Sequence, residues 1–232
     1  MRKNQILLSY EAKNQTRRRF LFICLYAFTL FFVINFSITY FIFPARQASV
    51  SMIPDISENS LVMLSPLAKK IERGNVVMLY PKKRENLSKI QKLVNLTVRF
   101  FTAQQISLYE KNNFPGTNYQ LRRIVGLPGD SIYMRDYVLY VKPAGTKHYL
   151  TEFEITDKPY NVTFFTAPPD WDSYIGVKGS FDEIVLADDE YFVLGDNRKS
   201  SDDSRLYGMV KKADIRAKAL FCYFPFDKIK FL

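Results

Sequence analysis

LRRIVGLPGDSIYMRDYVLYVK (121–142) sets short β-branched and aromatic runs between turn residues, and that rhythm decides the fold. Residues 122–127, 131–134 and 137–142 read as strands, because Val, Ile and Tyr suit a pleated, half-buried surface. Gly126, Pro128, Gly129 and Asp130 close the first strand as a tight turn. Two arginines, Arg122 and Arg123, enter that strand.

The same pattern recurs outward in both directions. LVML (61–64), NVVMLY (75–80), YFVL (191–194) and ALFCYF (219–224) read as further strands, and Gly195–Asn197 is a second turn cluster. The expected class is mainly β, built from antiparallel sheets that pack or partly close. One interval differs. In residues 86–109, Leu87, Ile90, Leu93, Val94 and Phe101 recur near helical spacing, with Lys89, Lys92 and Arg99 among them. A basic amphipathic helix there would rest on a membrane surface. The favoured expectation is a helix or strand packed on the sheet domain. Residues 144–185 read as loop, broken by Pro168, Pro169, Gly176 and Gly179.

Before the strands lies FLFICLYAFTLFFVINFSITYFIF (20–43), 24 residues without a charge. A helix of that length spans about 36 Å, against a hydrocarbon core of about 30 Å. It is longer than a signal-peptide h-region and ends in Tyr-Phe-Ile-Phe-Pro-Ala-Arg rather than small residues, so it reads as an uncleaved anchor. Residues 1–19 carry Arg2, Lys3, Lys13, Arg17, Arg18 and Arg19 against Glu11, a net +5. Positive charge beside the anchor predicts a cytoplasmic segment 1–19, a transmembrane helix 20–43 and an extracytoplasmic domain 44–232. Tyr40, Phe41 and Phe43 suit the far interface. Half of the chain's net charge of +10 sits in this leader, which argues against a nucleic-acid partner and for membrane lipid.

The 232 residues suffice for one sizeable domain plus an appendage, or two small domains. Cys24 lies within the anchor and Cys222 near the C-terminus, so no disulfide between them is expected. With one histidine, His148, and no metal-ligand spacing, neither a zinc site nor any other cofactor is expected.

SVSMIP (49–54) and GDNRKSSDDSR (195–205) are, each alone, ordinary turn and loop sequences. Their order changes the reading. The chain runs anchor, SVSMIP, RGNVVMLY (73–80), RRIVGLPGD (122–130) and YFVLGDNRKSSDDSR (191–205). In that order it resembles the type I signal peptidases, membrane-bound serine endopeptidases that remove signal peptides from exported proteins. The resemblance extends from residue 44 to about 220. It implies the antiparallel β-sheets of the signal peptidase I catalytic fold, with variable insertions at about 82–118 and 144–185. It implies Ser51 as nucleophile, Ser49 with the Ser51 N–H as oxyanion hole, and Ser201 holding the general base. Asp203 and Arg205 would support the site. Ile56 and Leu121 would line pockets for small substrate side chains. The implied partners are signal peptides of exported preproteins at the cytoplasmic membrane; oligomeric state is not implied.

The base is where the chain departs from the family. Lysine, or histidine in the endoplasmic-reticulum type, is expected where Arg122 stands. Arginine begins above about 12, and bringing it to neutrality would take about five pH units, roughly 7 kcal/mol. It can donate to a serine but not take its proton. His148, Asp196, Asp203, Lys211 and Lys212 are the remaining acceptors to weigh, and none is a persuasive replacement on sequence alone. Two functions follow: a peptidase with another proton acceptor, or a catalytically impaired relative that binds signal peptides or a partner. A self-cleaving Ser/Lys repressor fits less well, because an anchor rather than a DNA-binding domain precedes the site.

Overall fold

The computed structural model describes residues 2–68, 70–79, 88–101, 108, 119–164 and 179–232. Its first element is one long helix, α1 (Arg2–Tyr40). Within it Asn14–Ile38 has a mean hydropathy of 2.3, and among the described residues this is the one helix long and apolar enough to cross a membrane. Phe20, Phe22, Tyr26 and Phe28 project outward from it, uncovered by protein.

The helix ends earlier than the charge-free run does. The N–H groups of Phe41 and Ile42 turn back onto the Ser37 carbonyl, and β1 (Phe43–Arg46) begins at once. Pro44 explains the stop: it has no N–H for a helix, and it drives the residue before it into extended backbone. Phe43, expected at the membrane interface, packs against a core that contains Ala45, Val62 and Leu64.

The strands that follow are β2 (Leu61–Ser65), β3 (Val76–Leu79), β4 (Gln120–Gly126), β5 (Ser131–Arg135), β6 (Val138–Lys142), β7 (Leu150–Thr151), β8 (Phe181–Val185), β9 (Glu190–Leu194), β10 (Val210–Lys211), β11 (Ile215–Phe224) and β12 (Lys230–Phe231). The larger sheet has the order β1-β2-β11-β3-β4-β9-β10, with β12 beside β11. The smaller has the order β7-β6-β5-β8. Every pairing between them is antiparallel. The mainly β expectation is therefore correct, and the interval read as loop contains β7 and β8. Residues 165–178 of that interval, and most of the insertion expected at 82–118, lie outside the described residues.

Local chemistry fixes these turns. The β5–β6 hairpin turns through Asp136 and Tyr137, both at positive φ, the primed-turn geometry that matches strand twist. After β4 the Asp130 carboxylate accepts the Leu127 N–H at 2.6 Å and pairs with Arg73 at 2.8 Å. Gly126 is required by space: a Cβ there would lie 2.8 Å from both Leu186 and Phe192.

Strand β9 holds the layers together because it is buried on both faces. Phe192 and Leu194 join Ile132, Met134, Leu139 and Val141 of the smaller sheet. Tyr191 and Val193 face the other way, with Val77 and Ile124. A further core gathers Met52, Ile56, Val62, Leu64 and Leu121 beneath the residues that follow β1.

The amphipathic interval forms α2 (Lys89–Phe101). It packs on α1 rather than on a sheet. Phe32, Phe36 and Tyr40, four residues apart, make one stripe along α1. Phe100 lies 5.3 Å from Phe32, and Leu96, Thr97 and Phe101 complete the groove between the helices. Ile90 and Leu93 remain exposed.

Leu194→Ala removes a fully buried side chain between the layers and is expected to lower the unfolding free energy by about 2–5 kcal/mol. Leu206→Ala, at an exposed position, should change it by less than about 0.5 kcal/mol. Denaturant melts of the two detergent-solubilised variants against wild type check this.

Candidate functional site

Ser51 sits in a single 3-10 turn, Val50–Met52, and its side chain is buried. Two contacts from the 195–198 turn fix that backbone. The Asn197 N–H donates to the Ser51 carbonyl at 2.9 Å, and the Asn197 Nδ2 donates to the Val50 carbonyl at 3.1 Å. Gly195 permits the approach, since a Cβ there would lie 2.7 Å from the Ser51 oxygen and 2.0 Å from the Ser201 Oγ. From the other side Thr163 clasps the same turn, donating its N–H to the Asp196 carbonyl and accepting from the Arg198 N–H, each at 2.9 Å.

The Ser51 hydroxyl has three neighbours. Arg122 Nη1 donates to it at 2.9 Å, Gln47 Nε2 donates at 3.2 Å, and Ser49 Oγ lies 2.9 Å away. Gln47 is held as a donor because the same nitrogen also lies 2.8 Å from the Ser49 carbonyl, a contact only an NH2 group can make. A hydroxyl oxygen has two lone pairs; Arg122 occupies one, and the second Gln47 N–H is shared between Ser51 Oγ and the nearer Ser49 Oγ, at 3.1 Å. The Ser49 and Ser51 hydroxyls share one hydrogen bond in which either can be the donor, and Ser49 is exposed to solvent.

Strand pairing delivers Arg122 to this point, opposite Val77 of β3. Its Nε and Nη2 both donate to the Asp202 carbonyl, at 2.8 and 2.6 Å, and Nη1 also reaches the Leu121 carbonyl at 2.6 Å. Among the described residues no carboxylate bonds to it. Burial lowers its pKa from the usual arginine value, while the Tyr207 hydroxyl, Asp203 and Asp202 oppose that fall. Arginine begins so high that the group stays a cation.

Arg123, the next residue, points to the opposite face as neighbours in a strand must. There it forks onto Asp196 at 2.7 and 2.6 Å, reaches Asp55 at 3.0 Å, and lies 4.2 Å over the Tyr160 ring. Burial works against its charge, but Asp196 and Asp55 outweigh that and hold its pKa above the usual value.

Ser201 is close by but turned elsewhere. Its hydroxyl donates to Asp203 Oδ2 at 2.8 Å, and no bond joins it to Arg122. Asp203 caps the short helix α3 (Ser204–Tyr207) and also accepts the Gly195 N–H and the Nε and Nη2 of Arg205. Burial pushes the Asp203 carboxyl up, but Arg205, Gly195 and Ser201 outweigh it and leave it below the usual carboxylate value. Ile56 and Leu121 are both buried in the core that contains Met52.

None of the alternative proton acceptors reaches Ser51. His148 is exposed in the connection between β6 and β7. Lys211 is exposed and lies 3.6 Å from Asp189, and Lys212 is exposed as well. Asp196 is engaged by Arg123 and Asp203 by Arg205. Among the described residues no cluster of His, Cys, Asp and Glu could hold a metal ion.

Sequence reasoning missed Gln47, Asn197, Tyr207 and the Asp202 carbonyl. Gln47 follows Arg46 in a stretch with no motif, and only the return of the chain to Ser51 reveals it. It also missed the pair Arg198–Glu152, both wholly buried, with Nη1–Oε1 at 2.6 Å and the Tyr160 hydroxyl donating to Oε2 at 2.7 Å.

Residues 17–224 match the family described as signal peptidase, peptidase S26. Signal peptidase I of Bacillus amyloliquefaciens is 32% identical over 141 residues, covering 59% of this chain and 68% of its own. Signal peptidase IB of Staphylococcus aureus (strain MRSA252) is 24% identical over 219 residues, covering 88% of each chain. A crystal structure of a signal peptidase I from Enterococcus faecalis V583 aligns with 64% of this chain and 95% of its own, at 21% identity and a TM-score of 0.31.

Asp203→Asn breaks a buried ion pair and should cost about 3–5 kcal/mol at neutral pH. The wild-type carboxyl is depressed in the folded state, so its contribution is present above its unfolded pKa of about 4 and is lost as pH falls below that. Unfolding melts from pH 7 to pH 3 should show that loss in wild type and a flatter profile in Asp203→Asn. Gly195→Ala should displace the Ser51 turn, read as loss of the native near-ultraviolet dichroism or of folding outright.

Proposed function

The chain belongs to the signal peptidase family, peptidase S26, and from that premise we propose that it recognises signal peptides of exported preproteins at a membrane. Ser51 stands in the nucleophile's place, but among the described residues no base is placed to take its proton, so hydrolysis is slow or absent. The observation that carries this reading is the 2.9 Å contact from Arg122 Nη1 to the Ser51 Oγ. A serine attacks a carbonyl only as its proton departs to a base. A permanent cation that donates to the oxygen ties up a lone pair needed for attack and offers none for the proton. General-base assistance is worth about 10²–10⁴ in rate, and that is the factor at stake.

The rest of the reading follows the family pattern. Ser49 takes the oxyanion-hole position, and Asp203 and Arg205 brace the loop that carries Ser201. Ile56 and Leu121 lie beneath the pockets for small side chains. Residues 1–19 are cytoplasmic, the apolar helix is the anchor, and the domain from about residue 44 faces outward. That orientation rests on the basic cluster Arg17–Arg19 before the apolar span.

A second reading, an active peptidase with a different acceptor, is favoured by the intact Ser49–Ser51 hydroxyl pair beside Ser201, Asp203 and Arg205. The two separate on one assay. Full-length protein in detergent is incubated with a signal-peptide substrate. Wild type should cleave at least about 100-fold more slowly than Arg122→Lys, and Ser51→Ala should abolish the activity of that variant. Efficient wild-type cleavage that Ser51→Ala removes would establish the second reading instead. A reporter fused after Leu232 is expected outside the cytoplasm, and a cytoplasmic signal would reverse the topology.

A further inference from the structure

Arg122, Ser51, Ser49 and Gln47 form a cluster in which every group facing the Ser51 oxygen is a donor or a hydroxyl. The guanidinium is 4% exposed, its bonds run to the Asp202 and Leu121 carbonyls and the Ser51 hydroxyl, and among the described residues no carboxylate lies within ion-pair distance. Buried arginines elsewhere in this domain do have carboxylates: Asp196 for Arg123, Glu152 for Arg198, Asp203 for Arg205. Asp203, Asp202 and the Tyr207 hydroxyl favour the Arg122 charge, but with no carboxylate in direct contact an arriving anion would stabilise it further.

The hydroxyls make that vacancy specific. Arg122 and Gln47 both donate toward the Ser51 oxygen, which leaves its O–H able to turn and donate, toward Ser49 or toward a ligand. Ser49, 2.9 Å away and exposed, presents a second donor at the mouth. Two O–H donors backed by a fixed positive charge match a carboxylate, which accepts through two oxygens. They match a peptide amide less well, since its carbonyl can accept from them but carries no charge to meet the guanidinium.

We propose that this site binds the C-terminal carboxylate of a peptide, the free-acid end of an already cleaved signal peptide. The proposal rests on the reading of the site as a signal-peptide site and adds which form of the peptide it holds. A neutral lysine at position 122 would offer an acceptor and no charge; arginine reverses both.

The test uses the full-length protein in detergent and fluorescence anisotropy. The probes are a synthetic signal peptide ending at its −1 residue as the free acid, the same peptide as the C-terminal primary amide, and a longer peptide that continues past the cleavage point. The free acid should bind about tenfold or more tightly than the amide, the range expected for hydrogen bonds to a charged group. In Arg122→Met the two should bind alike. Because the acid–amide comparison is made on wild type, it stands even if that variant misfolds. Equal binding of acid and amide, with the longer peptide bound as well, would overturn the carboxylate proposal and leave the signal-peptide reading intact. Binding of none of the three would overturn both.

Discussion

Among the described residues four arginines are buried around the Ser51 turn, and the need to satisfy them organises that region. Arg122, Arg123, Arg198 and Arg205 are each 6% exposed or less. Removing a guanidinium from water costs several kcal/mol unless its donors and its charge are both met. Three of the four meet both with a two-pronged carboxylate contact, and each such pair pins a segment that the sheets alone would leave loose. Arg123 ties β4 to the 195–198 turn through Asp196, and to the residues after Ser51 through Asp55. Arg198 ties that turn to Glu152 beyond β7. Arg205 and Asp203 lock α3 onto the end of β9 through the Gly195 N–H.

These ties converge on Gly195. Its missing side chain lets the 3-10 turn of Ser51 and the loop of Ser201 approach one backbone point, where a Cβ would collide with both. A shift of a few tenths of an ångström there would move Ser51 relative to Arg122. The ion pairs are therefore more than contributions to stability: they keep a crowded junction in one arrangement, which is what a site with 2.9 Å contacts needs.

Much of this fold was legible in sequence because strands with one or two buried faces announce themselves through β-branched and aromatic runs. β9 and β4 are read correctly for that reason. Phe43–Arg46 was not, because FIFPAR continues an apolar run and only Pro44 hints that the helix is over. β8 was missed because FDEIV sets two adjacent acids inside a short apolar run and sits at the sheet edge, largely exposed. For the site, the motif order pointed to Ser51 and Arg122, and elementary acid–base chemistry raised the doubt about position 122. Gln47 was invisible: a lone glutamine between a strand and a serine turn carries no pattern, and its importance arises only when the chain brings Nε2 to three oxygens at once. The placement of α2 was misjudged for a related reason. Its apolar face was evident, but the surface that covers it, the aromatic stripe Phe32–Phe36–Tyr40, lies on a helix read only as a membrane anchor, with no protein partner assigned to it.

Arg122 is not a longer lysine in the same role. Its plane is fixed at the far edge by two bonds to the Asp202 carbonyl, and its near edge reaches Leu121 and Ser51. It thus braces β4, the 201–205 loop and the Ser51 turn against one another, a task that a flexible ammonium on a point attachment performs less rigidly. Where the family resemblance leads to the expectation of a lysine able to move a proton, this chain has a cross-brace, and the brace uses the serine hydroxyl as one of its anchors. A ligand that enters must either leave the Arg122–Ser51 bond in place and take the Ser51 proton, or break that bond and give the guanidinium something better than a neutral hydroxyl. A carboxylate can do either with a full negative charge, whereas the carbonyl of a scissile amide offers only a neutral acceptor. On the proposed reading, the arginine that withholds a base from Ser51 therefore also favours the cut end over the uncut chain.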